Sequence, residues 1–333
     1  MKLPENQGMQ ENLNRVRRFL AEFLPPEREQ GRMEDILTAV MSSKGKGYRP
    51  LLLLTAGRCG PSYESARDNL CRLGAIVELI HMASLVHDDI VDDSPLRRGQ
   101  ATIQNRFGKD MAVYTGDMIL ARTMGIVFRE GFYQAGTLLC STIENMCRGE
   151  IGQYDCRFHI DTPVETYLSN IYGKTVALFE AVCRIGGMES GCGEELCETL
   201  AAFGRHLGYL FQIRDDLLDF VSAESREGKP IHMDFREGIF TLPVLYTYGN
   251  PAYRDAVAAL AQEAKNGTFF DEQTKQLDHL VFRSGGITAT VEQMELHQNA
   301  ALELTNLLPK DSVARELREI LQGLTVPELH AAM

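Results

Sequence analysis

Residues 67–93 read RDNLCRLGAIVELIHMASLVHDDIVDD, and this stretch decides the fold. Its apolar residues recur at the three- and four-residue steps of an α-helix, with no sustained two-residue alternation of the kind a half-buried strand shows. Similar spacing returns over roughly 9–23, 111–130, 137–158, 164–187 and 193–222. Pro25-Pro26, Ser94-Pro95, Gly228-Lys229-Pro230 and Gly249-Asn250-Pro251 supply the breaks between helices. The fold class expected is all-α, a single large helical bundle. Helices longer than 20 residues rise by about 1.5 Å per residue, so they span roughly 30 Å and can flank a deep central cavity.

Working outward, no Ser/Gly-rich linker or low-complexity run divides the 333 residues, and residues 1–333 are expected to form one domain. A hydrophobic content of 44% supports a sizeable core. The net charge of −12 argues against nucleic acid as a partner. Eight cysteines lack both Cys-x-x-Cys pairs and Cys/His quartet spacing, which argues for reduced thiols and against zinc. The N-terminal residues have no apolar signal core, and no transmembrane segment is expected, because no stretch approaches about 20 apolar residues. These features point to the cytoplasm.

The end of the opening stretch carries Asp88, Asp89 and Asp92, and residues 211–220, FQIRDDLLDF, repeat the pattern with Asp215, Asp216 and Asp219. On a helix, positions i and i+4 share a face one turn apart, so Asp88 with Asp92 and Asp215 with Asp219 are paired anions. An isolated cluster of this kind is as readily a solvated acidic face. Both clusters here are bedded in apolar sequence, where uncompensated carboxylates are costly. Hard oxygen ligands with room for water suit Mg²⁺, which commonly bridges to substrate phosphates, so the ligand expected is a diphosphate.

With these motifs the chain resembles the all-trans isoprenyl diphosphate synthases, the polyprenyl synthetase family, over roughly residues 20–324. The first aspartate motif with its Arg-Arg-Gly matches Asp88, Asp89, Asp92, Arg97, Arg98 and Gly99, and the second matches Gln212, Asp215, Asp216 and Asp219. The basic stretch upstream corresponds to Gly45 through Pro50, with Lys46 and Arg49 present and Gly47 where relatives carry Arg. His81, Gly149-Glu150-Ile151-Gly152-Gln153, Lys174-Thr175 and Gly228-Lys229-Pro230 match further family motifs. Many relatives continue with Gly-x-Asp and Glu-Gly-Lys-x-Thr-Leu-Pro. This chain has His232-Met233-Asp234 and carries Ile239 at the Lys position.

The resemblance implies condensation of isopentenyl diphosphate with an allylic diphosphate to a linear all-trans polyprenyl diphosphate, with three Mg²⁺ per active site. It assigns metal binding to Asp88, Asp92 and Asp215, with Asp89, Asp216 and Asp219 acting through water or from behind. It places Arg97, Lys174 and Lys229 on the allylic diphosphate, and Lys46, Arg49, His81 and Arg98 on the other diphosphate. Gln212 and Thr175 line the reacting carbons. Small residues at Ala83 and Ser84 leave the product shaft open, with Met124 and Phe128 as its floor, which favours a product longer than twenty carbons over a farnesyl or geranylgeranyl product. A homodimer is expected, with a heteromer as the alternative and only transient membrane contact on product release.

Three rival readings follow from the same residues. A class I terpene cyclase shares the first motif, but Lys46, Arg49 and the intact second motif weigh against it. A non-catalytic subunit of a heteromeric synthase typically has a degraded aspartate motif, and both are whole here. A carboxylate-bridged di-iron bundle needs two Glu-x-x-His motifs on separate helices, and only Glu78 to His81 supplies one.

Overall fold

A computed structural model describes residues 7–42, 45, 47–221 and 232–324. Sixteen α-helices run through them: α1 Gln7–Phe23, α2 Arg32–Ser42, α3 Tyr48–Gly57, α4 Tyr63–Val91, α5 Ile103–Phe107, α6 Lys109–Glu130, α7 Tyr133–Asp155, α8 Val164–Ile171, α9 Ala177–Glu189, α10 Glu194–Val221, α11 Met233–Arg236, α12 Leu242–Gly249, α13 Arg254–Lys265, α14 Asp271–Ser284, α15 Gly286–Thr305 and α16 Asp311–Gln322. The all-α expectation holds. The short α3 and the helices after α10 add to the periodic stretches read from sequence.

The core is built on α3, α4, α9 and α10. Leu51 to Leu54 are all fully enclosed, and residues 73–80 of α4 are buried on every side, so neither helix is amphipathic in the usual sense. Burying a leucine contributes about 1.5–3 kcal/mol, which makes this contiguous apolar mass the main source of stability. The α3–α9 contact needs glycine at one point. A Cβ on Gly186 would lie 2.3 Å from the Leu53 carbonyl oxygen, so any side chain would force the helices apart. Outside this core, α6 packs on α4, and α15 packs on α10.

The expectation that no stretch is long and apolar enough to span a membrane is corrected here. By length and composition α4 and α6 both qualify. In α4 the qualifying window is 67% buried within the bundle, the condition of a central core helix, while in α6 it is 39% buried. Apolarity along a helix therefore reports burial by neighbouring helices as readily as burial by lipid.

The two sheet elements, β1 Leu96–Arg97 and β2 Gln100–Ala101, form a hairpin directly after the first aspartate motif. Its two turn residues, Arg98 and Gly99, have φ of 51° and 75°, the left-handed pair that a tight hairpin turn demands. Arg97 and Arg98 consequently point from a rigid corner.

Candidate active site

Both aspartate motifs close their helices. Asp92 caps the C-terminus of α4, and Asp215 to Asp219 occupy the last two turns of α10. Helix C-termini carry partial negative charge, so carboxylates placed there raise the demand for a cation. Asp88 shows it: burial and the nearby Glu150 carboxylate push its pKa up to about 7, against the pull of Lys174 and Arg97. Asp89, 5% exposed, instead accepts a hydrogen bond from Arg97 Nε at 2.8 Å. Gln104 Nε2 donates at 2.7 Å to the Asp89 carbonyl and so fixes the helix end.

In the second motif Asp216 is the buried member. It accepts from the Tyr167 hydroxyl and, at 2.8 Å, from Gln212 Nε2. Burial nonetheless pushes its pKa up to about 8. Thr175 Oγ1 donates to Gln212 Oε1 at 2.7 Å, so one chain of hydrogen bonds joins Thr175, Gln212 and Asp216. Asp219 accepts from the backbone N–H of His232 at 3.2 Å, and its other oxygen lies 3.3 Å from His232 Nδ1. The His232 ring is fully enclosed, with Nε2 at 2.8 Å from Asp278 of α14. Burial works against its charge, but the two carboxylates prevail and its pKa rises to about 9.

Lys174 ties the two ends together. It sits in a π-helical turn at Tyr172–Val176, a wider coil that often marks functional positions. Gly149 and Gly173 let that turn lie directly on α7. A Cβ on Gly149 would fall 2.3 Å from the Lys174 nitrogen, and one on Gly173 would fall 2.7 Å from the Gly149 Cα. Glu150 is thereby brought to 3.1 Å from the Lys174 ammonium. Burial disfavours that charge, yet Glu150, Asp88 and Asp92 outweigh it and raise the Lys174 pKa. Asp234 of α11 also feels Lys174, together with Asp219 and Asp215. The electrostatic coupling thus runs from the first motif through Lys174 and then Asp234 to the second.

Beside this acidic mouth lies a small pocket lined by Glu78, His81, Met82, Asp89, Arg97 and Arg98, among others. The His81 pKa is well below its ordinary value, through burial and through the charges of Arg49, Arg98 and Arg97. A neutral imidazole among three guanidinium groups suits an anion that has yet to arrive. Arg49 lies over the Phe179 ring at 5.1 Å, and its buried Nε has no hydrogen-bond partner among the described residues. Burial lowers its pKa to about 10 despite Glu78. A desolvated guanidinium with an idle donor is a ready anion ligand.

The donor set fits Mg²⁺ shared with a phosphate ligand. Among the described residues no three acidic, histidine or cysteine side chains converge on one point. Carboxylates one helical turn apart, as Asp88 and Asp92 are, would supply part of a Mg²⁺ ligand shell that phosphate oxygens and water complete.

Residues 30–276 match the family model described as polyprenyl synthetase. The chain belongs to that family, and it is a prenyltransferase. It is 35% identical over 292 residues to heptaprenyl diphosphate synthase component 2 of Geobacillus stearothermophilus, covering 88% of this chain and 89% of the relative. It superposes with a TM-score of 0.86 and 27% identity on heptaprenyl diphosphate synthase from Staphylococcus aureus, covering 97% of this chain and 98% of the other. A polyprenyl synthase from Caulobacter crescentus, complexed with calcium and isoprenyl diphosphate, matches with a TM-score of 0.84 and 27% identity over 95% and 94% of the two chains.

Some residues singled out from the sequence of this synthase do not meet at the site. Lys46 and Lys229 lie outside the described residues. Ala83 has no exposed surface, whereas Ser84 is half-buried and donates from Oγ to the His81 carbonyl at 2.9 Å. At Phe128, expected as part of the floor, the ring is 65% exposed in the single chain and tilted against Tyr133 at 6.4 Å. The core-facing positions at that end of α6 are Thr123, Ile126 and Val127. One further residue turns the helix by about 100°, which carries Phe128 off that face. Met124 is partly buried against the core, 3.6 Å from Cys140 Sγ. Gly47 has φ 69° at the start of α3, a backbone in which the Arg of relatives would be strained.

Sequence reasoning missed Tyr167, Asp234 and His232 as parts of the site, and left Glu150 without a role. Only Glu150 and Asp234 stood in recognisable motifs. Tyr167 gave no signal, because a tyrosine on an amphipathic helix reads as packing.

Proposed function

We propose that this synthase condenses isopentenyl diphosphate with an allylic diphosphate, using Mg²⁺, to make an all-trans polyprenyl diphosphate longer than twenty carbons. The observation that carries the reading is two carboxylate motifs coupled through Lys174 and Asp234, beside a pocket lined by His81, Arg97 and Arg98, with the Arg49 charge acting on His81. That is a site with a metal half and a metal-free cationic half. Asp88, Asp92 and Asp215 hold the ions, three in number, with Asp89, Asp216 and Asp219 behind them. When bound, Mg²⁺ neutralises the allylic diphosphate so that it can leave.

Lys174 and Arg97 grip the oxygens of that leaving group by charge-assisted hydrogen bonds. Arg49, Arg98 and His81, with Lys46, orient isopentenyl diphosphate so that its double bond meets the allylic carbon. The linked dipoles of Thr175 and Gln212 steady positive charge at the reacting carbons without quenching it. A new carbon–carbon bond forms, and the departed diphosphate takes the proton, so no side-chain base is needed.

Product length is set along α4. Ser84 keeps a small, accessible side chain one turn above Asp88. Purified protein incubated with isopentenyl diphosphate, a short allylic primer and Mg²⁺ should yield products longer than twenty carbons after dephosphorylation. Ser84→Phe should shorten them to about three or four isoprene units, since close-packed surroundings do not absorb a ring. A wild-type product already of that length would overturn the long-chain reading.

The protein acts as a homodimer in this reading, through the face on α6 and α7 where Tyr114, Phe128, Tyr133, Ile151 and Tyr154 are each more than 60% exposed. Such a large apolar patch on a monomer calls for a partner. The name of the Geobacillus relative, a component, makes a heteromer the alternative; light scattering of the purified chain, expected to give twice 37.3 kDa, separates the two. All eight cysteines are free thiols, which supports placing the enzyme in the cytoplasm.

A further inference from the structure

His232 occupies a position where many relatives carry glycine, and its backbone shows why that is unusual. It has φ 58° and ψ 36°, the left-handed region that disfavours a residue with a Cβ. A side chain kept there at such cost calls for a compensating interaction. The imidazole is fully enclosed and tilted against Phe220, with ring centroids 4.5 Å apart and planes at 36°. Its Nδ1 faces Asp219 at 3.3 Å and its Nε2 faces Asp278 at 2.8 Å. Carboxylates only accept, so both ring nitrogens donate. The backbone N–H of the same residue donates to the other Asp219 oxygen at 3.2 Å. Asp219 is therefore held at both oxygens by one residue, and that residue is anchored in turn to α14.

We propose that His232 is a positioning residue of the second aspartate motif: it locks the rotamer of Asp219 and, through Asp278, fastens the metal side of the mouth to α14. The inference rests on the Mg²⁺–diphosphate reading given above. A carboxylate held at both oxygens loses little freedom when a cation arrives, and such preorganisation is what outer partners of metal sites supply. Asp278 is remote from the reacting carbons, which makes it the cleaner handle.

The test is calorimetric titration of inorganic diphosphate in the presence of Mg²⁺ into wild type, His232→Gly, His232→Asn and Asp278→Ala. Turnover is followed in parallel as a function of Mg²⁺ concentration. His232→Gly should weaken Mg²⁺-dependent diphosphate binding by about tenfold, the scale of a lost outer-sphere partner. It should raise the Mg²⁺ needed for half-maximal turnover correspondingly and leave the KM for isopentenyl diphosphate unchanged. His232→Asn tolerates the left-handed backbone and keeps one donor, so it should recover part of the loss. Asp278→Ala should shift Mg²⁺ dependence in the same direction by a smaller factor. Equal Mg²⁺-dependent binding by wild type and Asp278→Ala, or by wild type and a folded His232→Gly, would overturn the proposal. Wild type that binds no diphosphate with Mg²⁺ would instead overturn the functional reading on which it rests.

Discussion

The two aspartate motifs have the same spelling, Asp-Asp-x-x-Asp, and the same place at the end of a long helix, yet the protein treats their middle carboxylates differently. Asp89 is paired with a full charge, Arg97, at 2.8 Å. Asp216 is met by two neutral donors, Tyr167 and Gln212. The third members differ as well, since Asp92 is an exposed helix cap and Asp219 is clasped by His232. An identical sequence pattern thus specifies which carboxylates share a face. It does not specify what stands behind them. Cation demand on the first side is set by charge balance among Asp88, Glu150, Lys174 and Arg97, and on the second by burial and dipoles.

The most severe way to break the comparison is to remove one outer carboxylate from each motif. Asp88→Ala and Asp215→Ala should each lower turnover at saturating Mg²⁺ by at least about 10²-fold, the scale of losing one preorganised electrostatic element. Near-normal turnover in either variant would show that only one motif carries chemistry. The middle positions then sharpen the contrast. Asp89→Asn deprives Arg97 of a charged partner, an interaction worth about 1.5–3 kcal/mol, and should cost tenfold or more in turnover. Asp216→Asn exchanges an acid whose pKa is already pushed up to about 8 for a neutral amide of the same shape, and should cost only a few-fold. Equal losses at both positions would mean that the partners do not matter.

A third test uses pH. The Asp88 pKa, raised to about 7, lies above its ordinary value, so the metal-free folded protein holds a proton there that the unfolded chain has lost. The stability associated with that proton is present at acid pH and is lost as pH rises through about 7. Mg²⁺ must displace the same proton. Mg²⁺-dependent affinity for inorganic diphosphate, measured by calorimetry, should therefore weaken as pH falls below 7, by up to about tenfold per unit. Asp216, with its pKa near 8, holds a second proton across the same range, so the wild-type dependence is steeper than that of a variant without the Asp88 carboxyl. In Asp88→Asn the dependence between pH 6 and 7 should flatten, which assigns it to the first motif.

How much of this was legible beforehand follows from what sequence periodicity encodes. The all-α class and the long helices bearing Asp88 and Asp215 were readable, because apolar spacing and breaker residues are local signals. The motif residues could be placed on helix faces for the same reason. The partners of Asp216 and His232 could not, since Tyr167 and Asp278 lie 49 and 46 residues away from them and meet them only through helix packing. The exposure of Phe128 was not readable either, because the apolar spacing along α6 does not say which of its side chains neighbouring helices cover. His232 had a local clue, a bulky residue where relatives have glycine, but its meaning depended on α14 being near.

The smallest expected effect isolates the neutral side of the comparison. Tyr167 is 6% exposed, and its hydroxyl makes a buried hydrogen bond to Asp216. Removing that hydroxyl in Tyr167→Phe leaves the ring, and therefore the packing, in place. A neutral donor of this kind contributes about 1 kcal/mol net, with a further penalty for the acceptor it strands. Asp216 keeps Gln212 as a donor, so the penalty stays modest, and the loss of one donor pushes its pKa further up. Thermal unfolding should therefore show a drop of a few degrees, in line with about 2–4 °C per kcal/mol for a chain of roughly this size. Turnover should fall no more than about threefold, because the change falls on Asp216 and leaves Asp215 and Asp219 undisturbed. If Tyr167→Phe lowered turnover as deeply as Asp89→Asn, the hydroxyl would be setting the charge state of the second motif much as Arg97 sets that of the first. The distinction between charge-paired and dipole-paired motifs would then fail.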